Sequence, residues 1–144
     1  MQERDNVELL NTVVRTTEMG KTTLDELIPM AERPEFKAEL LREQRGYRDF
    51  NQQAHTALAA CGSQAECQTT LEKWMARAGI VTQTFADRST EKLAEMVVKG
   101  NRMGVAECVE GLREHPAASD GAKELARGLR LFEEENIASL RQFL

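Results

Sequence analysis

The sequence has few of the side chains that catalytic and redox sites use most. Only two histidines, His55 and His115, occur in 144 residues, and aromatic residues make up 5% of the chain. We expect both histidines to be ordinary surface residues. The three cysteines, Cys61, Cys67 and Cys108, form no CxxC pair, and a chain of this length can bury a core without disulfides. Free thiols are therefore expected, although a reversible Cys61–Cys67 disulfide stays open.

Other absences exclude whole classes of function. No run reaches the roughly 20 apolar residues that span a bilayer, and the N-terminus is charged from the start, with no apolar signal segment. We therefore expect a cytoplasmic protein without a membrane partner. The net charge is −5 and no basic face is clustered, which argues against a nucleic-acid partner. The chain also lacks a glycine-rich phosphate loop, a Ser-His-Asp or Cys-His set, and an HExxH motif.

What the sequence does contain is helical periodicity. It predicts helices over about residues 6–30, 35–60, 63–84, 89–115 and 120–144, with Asn6 as the first N-cap. Gly62 should end the second helix, since glycine readily takes the left-handed conformation found there. No segment alternates like a strand. The sequence therefore predicts an all-α protein.

The last helix has a polar residue inside its apolar face. That face contains Leu125, Leu129, Phe132, Asn136, Leu140 and Phe143. Asn136 lies in the middle of it, three residues after Glu133. A Glu-x-x-Asn unit on a buried face is the main clue to function in this chain.

The two halves of the chain match each other when shifted by about 84 or 85 residues. The matches include Met19-Gly20 with Met103-Gly104, Tyr47 with Phe132, and Asn51 with Asn136. This pattern predicts an internal duplication of a helical hairpin within one domain, residues 1–144. The hairpins would cover residues 6–62 and 89–144, and a crossover helix at 63–88 would join them.

Two like hairpins joined by a crossover resemble the ferritin-like superfamily, in particular its small bacterial members. The resemblance implies an antiparallel four-helix bundle with an additional crossover helix. Metal-active members carry Glu on the first and third helices and Glu-x-x-His on the second and fourth. These side chains hold two irons, because carboxylates and imidazoles suit iron.

The matching positions in this chain have lost most of that chemistry. They are Glu18 on the first helix, Arg48 and Asn51 on the second, Arg102 on the third, and Glu133 and Asn136 on the fourth. Asparagine replaces both histidines, and arginine, which cannot bind a cation, replaces two carboxylates. We therefore expect a degenerate di-iron site with no metal, cofactor or catalytic residue.

Two interpretations of these six positions stay open. In the first, Glu18 and Glu133 pair with Arg48 and Arg102 near the centre of the bundle, and charge pairs replace the metals. Asn51 and Asn136 would then bond each other or nearby backbone. In the second, the charged residues other than Glu133 lie on the solvated sides of broad apolar faces. The inward placement is favoured only for the two asparagines.

The favoured function is a non-enzymatic, ferritin-like structural or interaction protein. One alternative is a di-metal carboxylate oxidase or metal-handling protein with an altered site around Glu18, Glu43, Glu133 and Asn136. A second is a stress- or spore-associated protein, by analogy with other ferritin-like branches. The crossover either caps the bundle or forms a homo-oligomer surface through Trp74, Met75, Ile80, Val81 and Phe85.

Overall fold

A computed structural model describes residues 2–62 and 88–144 as a four-helix bundle. The helices are α1 (Gln2–Leu27), α2 (Pro34–Ala60), α3 (Thr90–Glu114) and α4 (Asp120–Leu140), with 3-10 turns at Ile28–Met30 and Arg141–Phe143. Within these ranges there is no strand, and the predicted all-α fold is confirmed. The predicted crossover helix and its apolar residues lie outside the described residues.

Local sequence signals set most helix ends. Pro34 occupies the first turn of α2, where its missing N–H leaves no intrahelical bond unmade. Gly62 follows α2 with a φ of +73°, as predicted. The hydroxyls of Ser89 and Ser119 cap α3 and α4 by accepting hydrogen bonds from Lys92 N and Ala122 N.

The prediction that Asn6 caps α1 is wrong, because α1 begins at Gln2. The side chains near Asn6 instead bind the turn between α3 and α4. Asn6 Oδ1 accepts from Ser119 N, and Asp5 Oδ2 accepts from Ala117 N at 3.0 Å. His115 is also not an ordinary surface residue. Its side chain is 16% exposed, and its Nδ1 lies 3.5 Å from Asp5 Oδ1.

Replacing Asp5 with alanine should lower the free energy of unfolding by about 1 kcal/mol, because Ala117 N loses its acceptor and α1 loses a contact with the α3–α4 turn. Urea denaturation of the two proteins measures the difference. Glu3→Ala is the matched control, since Glu3 is exposed in the same helical turn. Equal losses for the two variants would show that the Asp5 contact adds nothing.

The helices pack as two hairpins, α1 with α2 and α3 with α4, with α1 against α3 and α2 against α4. Arg42 contacts Asn136, and Phe50 lies beside Gly128. Residue numbers thus rise along α2 as they fall along α4, so these two helices run antiparallel. Among the described residues no helix is both long enough and apolar enough to cross a membrane.

Burial in α1 recurs in α3 at the predicted shift of about 84 residues. Buried pairs at this spacing are Leu9 with Leu93, Val13 with Val97, Thr17 with Asn101, Gly20 with Gly104, and Leu24 with Cys108. The two helices thus present equivalent positions to the core. The pattern agrees with the duplication, which stays a prediction.

Candidate functional site

Two carboxyl groups lie at the centre of the bundle. Glu43 of α2 and Glu133 of α4 are both 0% exposed. Glu43 lies between Leu40 and Tyr47 on the buried face of α2, because residues three and four apart share one side of a helix. Carboxyl groups are almost never fully buried unless they have partners, so their surroundings decide what this region can do.

Tyr47 and Asn101 connect the two carboxyl groups. The Tyr47 hydroxyl lies 2.9 Å from Glu133 Oε2 and 2.8 Å from Asn101 Oδ1. Asn101 Nδ2 donates to Glu43 Oε1 at 3.4 Å and to the backbone oxygen of Val97 at 2.9 Å. Asn136 Nδ2 donates to Asn101 Oδ1 at 3.1 Å. We call this group the central polar cluster; its members are Glu43, Tyr47, Asn101, Glu133 and Asn136.

An ion pair at the rim joins the central polar cluster to solvent. Arg42 Nη2 donates to Asn136 Oδ1 at 3.1 Å and to Glu39 Oε2 at 2.5 Å, and Arg42 Nε donates to Glu39 Oε1 at 3.2 Å. The Arg42 side chain is 44% exposed, whereas that of Glu39 is 12% exposed. Glu39 also interacts with the carboxyl group of Glu43, one helical turn further along α2.

Two glycines make room for the bulky members of this region. A Cβ on Gly104 of α3 would lie 1.9 Å from Glu133 Oε2. A Cβ on Gly46 would lie 2.3 Å from the ring of Phe132, which packs edge-on against Tyr47 at 5.2 Å. Gly46 follows Glu43 by three residues, so the Phe132 ring fills the space beside the position that would complete a Glu-x-x-His motif.

Burial shifts the pKa of both central carboxyl groups upward. For Glu43, burial and then the hydrogen bond with Glu39 raise the pKa to about 10. For Glu133, burial raises the pKa well above its ordinary value, while the hydrogen bond with Tyr47 opposes the rise. Burial also acts to raise the pKa of Glu39, but its bonds with Glu43 and Arg42 outweigh burial and lower it. Protons therefore favour the interior carboxyl groups over the one at the rim.

The structure brings only two of the six predicted site residues into the central polar cluster, Glu133 and Asn136. Asn51 is buried but forms a separate contact, donating to Thr17 Oγ1 at 2.9 Å and to Glu18 Oε1 at 3.0 Å. Asn51 and Asn136 therefore do not bond each other. Glu18 is half-buried.

Arg48 and Arg102 are both exposed on the bundle surface. The interpretation in which these arginines neutralise buried carboxylates is therefore wrong. The physical reason is their helical position. Each arginine directly follows a buried residue of its helix, Tyr47 or Asn101, and therefore points about 100° away from it. The exposed positions of Arg48 and Arg102 agree with the second interpretation, in which they lie on the solvated sides of their helices.

Sequence reasoning missed Asn101 and assigned the second-helix unit to the wrong residues. The buried carboxyl group of α2 is Glu43, five residues before Arg48. Its signal was present, since Glu43 lies three residues after Leu40 and four before Tyr47 on the apolar face. Asn101 also had a signal, because it follows the apolar Val97 by four residues.

No protein-family model and no curated protein sequence matches the chain. In structure, the chain is similar to a dodecameric thioferritin, the bacterioferritin-related protein from Bacteroides fragilis. The TM-score is 0.78, over 99% of this chain and 86% of that chain. The fold is ferritin-like. The two sequences are 12% identical, so the similarity establishes the ferritin-like fold and nothing further.

The donor atoms of the central polar cluster do not match the ligands of a ferritin-like di-iron site. Its two carboxyl groups are accompanied by two amides and a phenol. The positions three residues after Glu43 and Glu133 hold Gly46 and Asn136 in place of imidazoles. Across residues 2–62 and 88–144, no group of three or more His, Cys, Asp or Glu side chains could hold a metal ion.

Proposed function

We propose that this chain is a non-enzymatic ferritin-like protein with a structural or interaction role and a degenerate metal site. The observation that carries the proposal is the set of partners of Glu43 and Glu133. Glu43 bonds the Asn101 amide and Glu133 bonds the Tyr47 phenol, where metal-active relatives of this fold would use imidazoles and further carboxylates. The bundle has kept two of the inward carboxyl groups and replaced the rest of the ligand set.

The electrostatics of the two carboxyl groups support this proposal. A carboxyl group must lose its proton to bind a metal ion, so metal affinity falls when the pKa of the ligand rises. Burial raises the pKa of both Glu43 and Glu133. The exposed Arg42 adds a fixed positive charge at the rim of the cluster. The raised pKa values favour neutral acids over an ionised pair that could attract a divalent cation. The charge of Arg42 acts to lower the pKa of Glu43, but burial outweighs it, and the same charge repels a cation at the rim.

Metal analysis tests the proposal. The purified chain is incubated with Fe²⁺, Mn²⁺ or Zn²⁺ and freed of weakly bound ions on a desalting column, and its metal content is measured by mass spectrometry. We expect far less than one ion per chain, and the same content in Glu133→Gln as in wild type. One or two ions per chain, lost in Glu133→Gln, would overturn the proposal in favour of a metal-handling protein.

We also propose a homo-oligomer located in the cytoplasm. The structurally similar thioferritin is dodecameric, which supports assembly through copies of one chain. The apolar residues that we assign to the interface are Trp74, Met75, Ile80, Val81 and Phe85, all outside the described part of the structure. Light scattering after size-exclusion chromatography should give a mass above one chain. A monomer at millimolar concentration would contradict the assembly.

A further inference from the structure

The Tyr47 hydroxyl has one hydrogen and two close oxygens. Asn101 Oδ1 lies 2.8 Å from it and Glu133 Oε2 lies 2.9 Å from it. A phenol can donate to only one of them. The other oxygen must therefore either donate a proton to Tyr47 or face the phenol oxygen as a second acceptor, which is unfavourable in a buried site.

Fixed donors and acceptors decide which way Asn101 is oriented. The backbone oxygen of Val97 can only accept, so the amide nitrogen of Asn101 must face it. On the opposite side, Arg42 can only donate, so it binds the amide oxygen of Asn136 and leaves Asn136 Nδ2 to donate to Asn101 Oδ1. Asn101 therefore presents an oxygen to Tyr47, and the Tyr47 proton points to Asn101.

This orientation leaves Glu133 as the group that supplies the remaining proton. With the Tyr47 hydrogen directed to Asn101, the phenol oxygen faces Glu133 Oε2 as an acceptor. The 2.9 Å contact is a hydrogen bond only if Glu133 carries a proton on that oxygen. An ionised Glu133 would instead draw the Tyr47 proton and leave two acceptors 2.8 Å apart at Asn101.

A similar argument applies to Glu43. Its Oε1 accepts from Asn101, and its buried Oε2 receives no hydrogen bond. Glu39 lies within hydrogen-bonding reach and is itself held by two bonds from Arg42, which stabilise its ionised form. One of two adjoining carboxyl groups must carry a proton for them to bond. Because Arg42 stabilises the ionised form of Glu39, the shared proton lies on Glu43.

We propose that two protons, one on Glu43 and one on Glu133, neutralise in this bundle the charge that metal ions neutralise in metal-active ferritin-like proteins. The inference deepens the proposed function and rests on it. Tyr47 and Asn101 connect the two acids, so α2, α3 and α4 are joined by one hydrogen-bonded chain. In Glu43→Gln and in Glu133→Gln, the side-chain amide N–H replaces the carboxyl O–H as a hydrogen-bond donor that carries no charge.

The surrounding charges agree with neutral acids. On α2, Glu39 and Tyr47 face Glu43. The charge of Arg42, which binds Glu39 and Asn136, acts to lower the pKa of Glu43, but burial outweighs it. On α3, the buried Cys108 lies near Glu133, and burial raises the pKa of its thiol, so this neighbour is neutral. None of these neighbours places a positive charge in contact with Glu133. Glu133 Oε1 has no hydrogen-bond partner. Leaving the carbonyl oxygen of a neutral acid without a partner costs less free energy than leaving a charged carboxylate oxygen without one.

Carbon-13 NMR of the full chain tests this assignment. Glutamate is labelled at the side-chain carboxyl carbon, metals are removed with a chelator, and spectra are recorded from pH 4 to pH 9. We expect two resonances at the position of a protonated acid at pH 7. Glu43→Gln and Glu133→Gln should each remove one of them, and the exposed Glu134→Gln should remove neither.

The wild-type spectrum is sufficient if a variant fails to fold. Fewer than two acid resonances in the metal-free wild type at pH 7 would overturn the inference. The result is separate from metal analysis, because a chain that binds metal can still be protonated when stripped. Metal binding would contradict the proposed function. Ionised Glu43 and Glu133 in the metal-free protein would instead contradict the inference that both carry a proton.

Discussion

Glu43→Gln should be more stable than the wild type by at least about 2 kcal/mol at pH 8. Glutamine keeps the size of the side chain, and its amide nitrogen replaces the carboxyl O–H that donates to Glu39. Its amide oxygen still accepts from Asn101. The variant therefore retains the bonds of the neutral acid without having to take up a proton when the chain folds.

The direction of the pH dependence follows from the raised pKa of Glu43, about 10 in the folded chain against 4.5 in the unfolded one. Between these values the folded chain binds a proton that the unfolded chain has lost. Stability therefore falls as pH rises through this window. Glu43→Gln removes this dependence, so its advantage should be smallest near pH 4.5 and should grow toward pH 8.

Urea denaturation at pH 4.5, 6, 7 and 8 measures this advantage. Glu134→Gln is the control, since it makes the same chemical change at an exposed position. The expectation fails if Glu43→Gln is less stable than wild type at pH 8, or if the difference between them is the same at every pH. A difference that is the same at every pH would mean that Glu43 is ionised in the folded protein.

Gly104→Ala should lower the free energy of unfolding by about 2 kcal/mol, although alanine normally favours a helix over glycine by about 1 kcal/mol. The added Cβ would lie 1.9 Å from Glu133 Oε2 and 2.5 Å from the carboxyl carbon. A flexible side chain could often move aside at small cost, but Glu133 is fully buried and bonded to Tyr47. Moving it breaks that bond and leaves buried polar atoms without partners.

Two further variants isolate this contact. Gly100→Ala lies one turn earlier on α3, and its Cβ would meet nothing within 4 Å, so it should be stabilising by up to about 1 kcal/mol. In a Glu133→Ala background, Gly104→Ala should become stabilising as well, because the clashing carboxyl group is gone. A destabilising Gly104→Ala in that background would show that the cost does not come from Glu133.

Periodicity was enough to predict an all-α chain, and the internal repeat with the ferritin-like resemblance predicted how the helices are arranged. The apolar residues of each helix recur at helical spacing, and the proline, serine and glycine signals at the helix ends correspond to the caps that the structure contains. Asn6 was the exception. Asparagine is favoured both at an N-cap and as an acceptor for a distant backbone N–H, and the sequence does not distinguish the two. The contact with Ser119 depends on how α1 lies against the α3–α4 turn.

The candidate site was harder to predict because small register errors change which side chain points inward. Matching the halves at about 85 residues pairs Glu133 with Arg48, which is exposed, whereas the buried partner at that level of α2 is Tyr47. One residue along a helix turns a side chain by about 100°. Asn51 and Asn136 were correctly predicted to face inward, because their own apolar neighbours fix their direction. The spacing of Asn101 from Val97 indicates an inward position, but its bonds to Tyr47, Glu43 and Asn136 follow only from distances between helices.

Anomalous X-ray scattering from crystals soaked in Mn²⁺ tests the central claim most directly. The claim is that Glu43 and Glu133 of this ferritin-like bundle bind protons and partners within the chain, and no longer bind metal. The account predicts no manganese peak within ligand distance of either carboxyl group at neutral pH. A peak bridging Glu43 and Glu133, with Tyr47 displaced from Glu133, would contradict it.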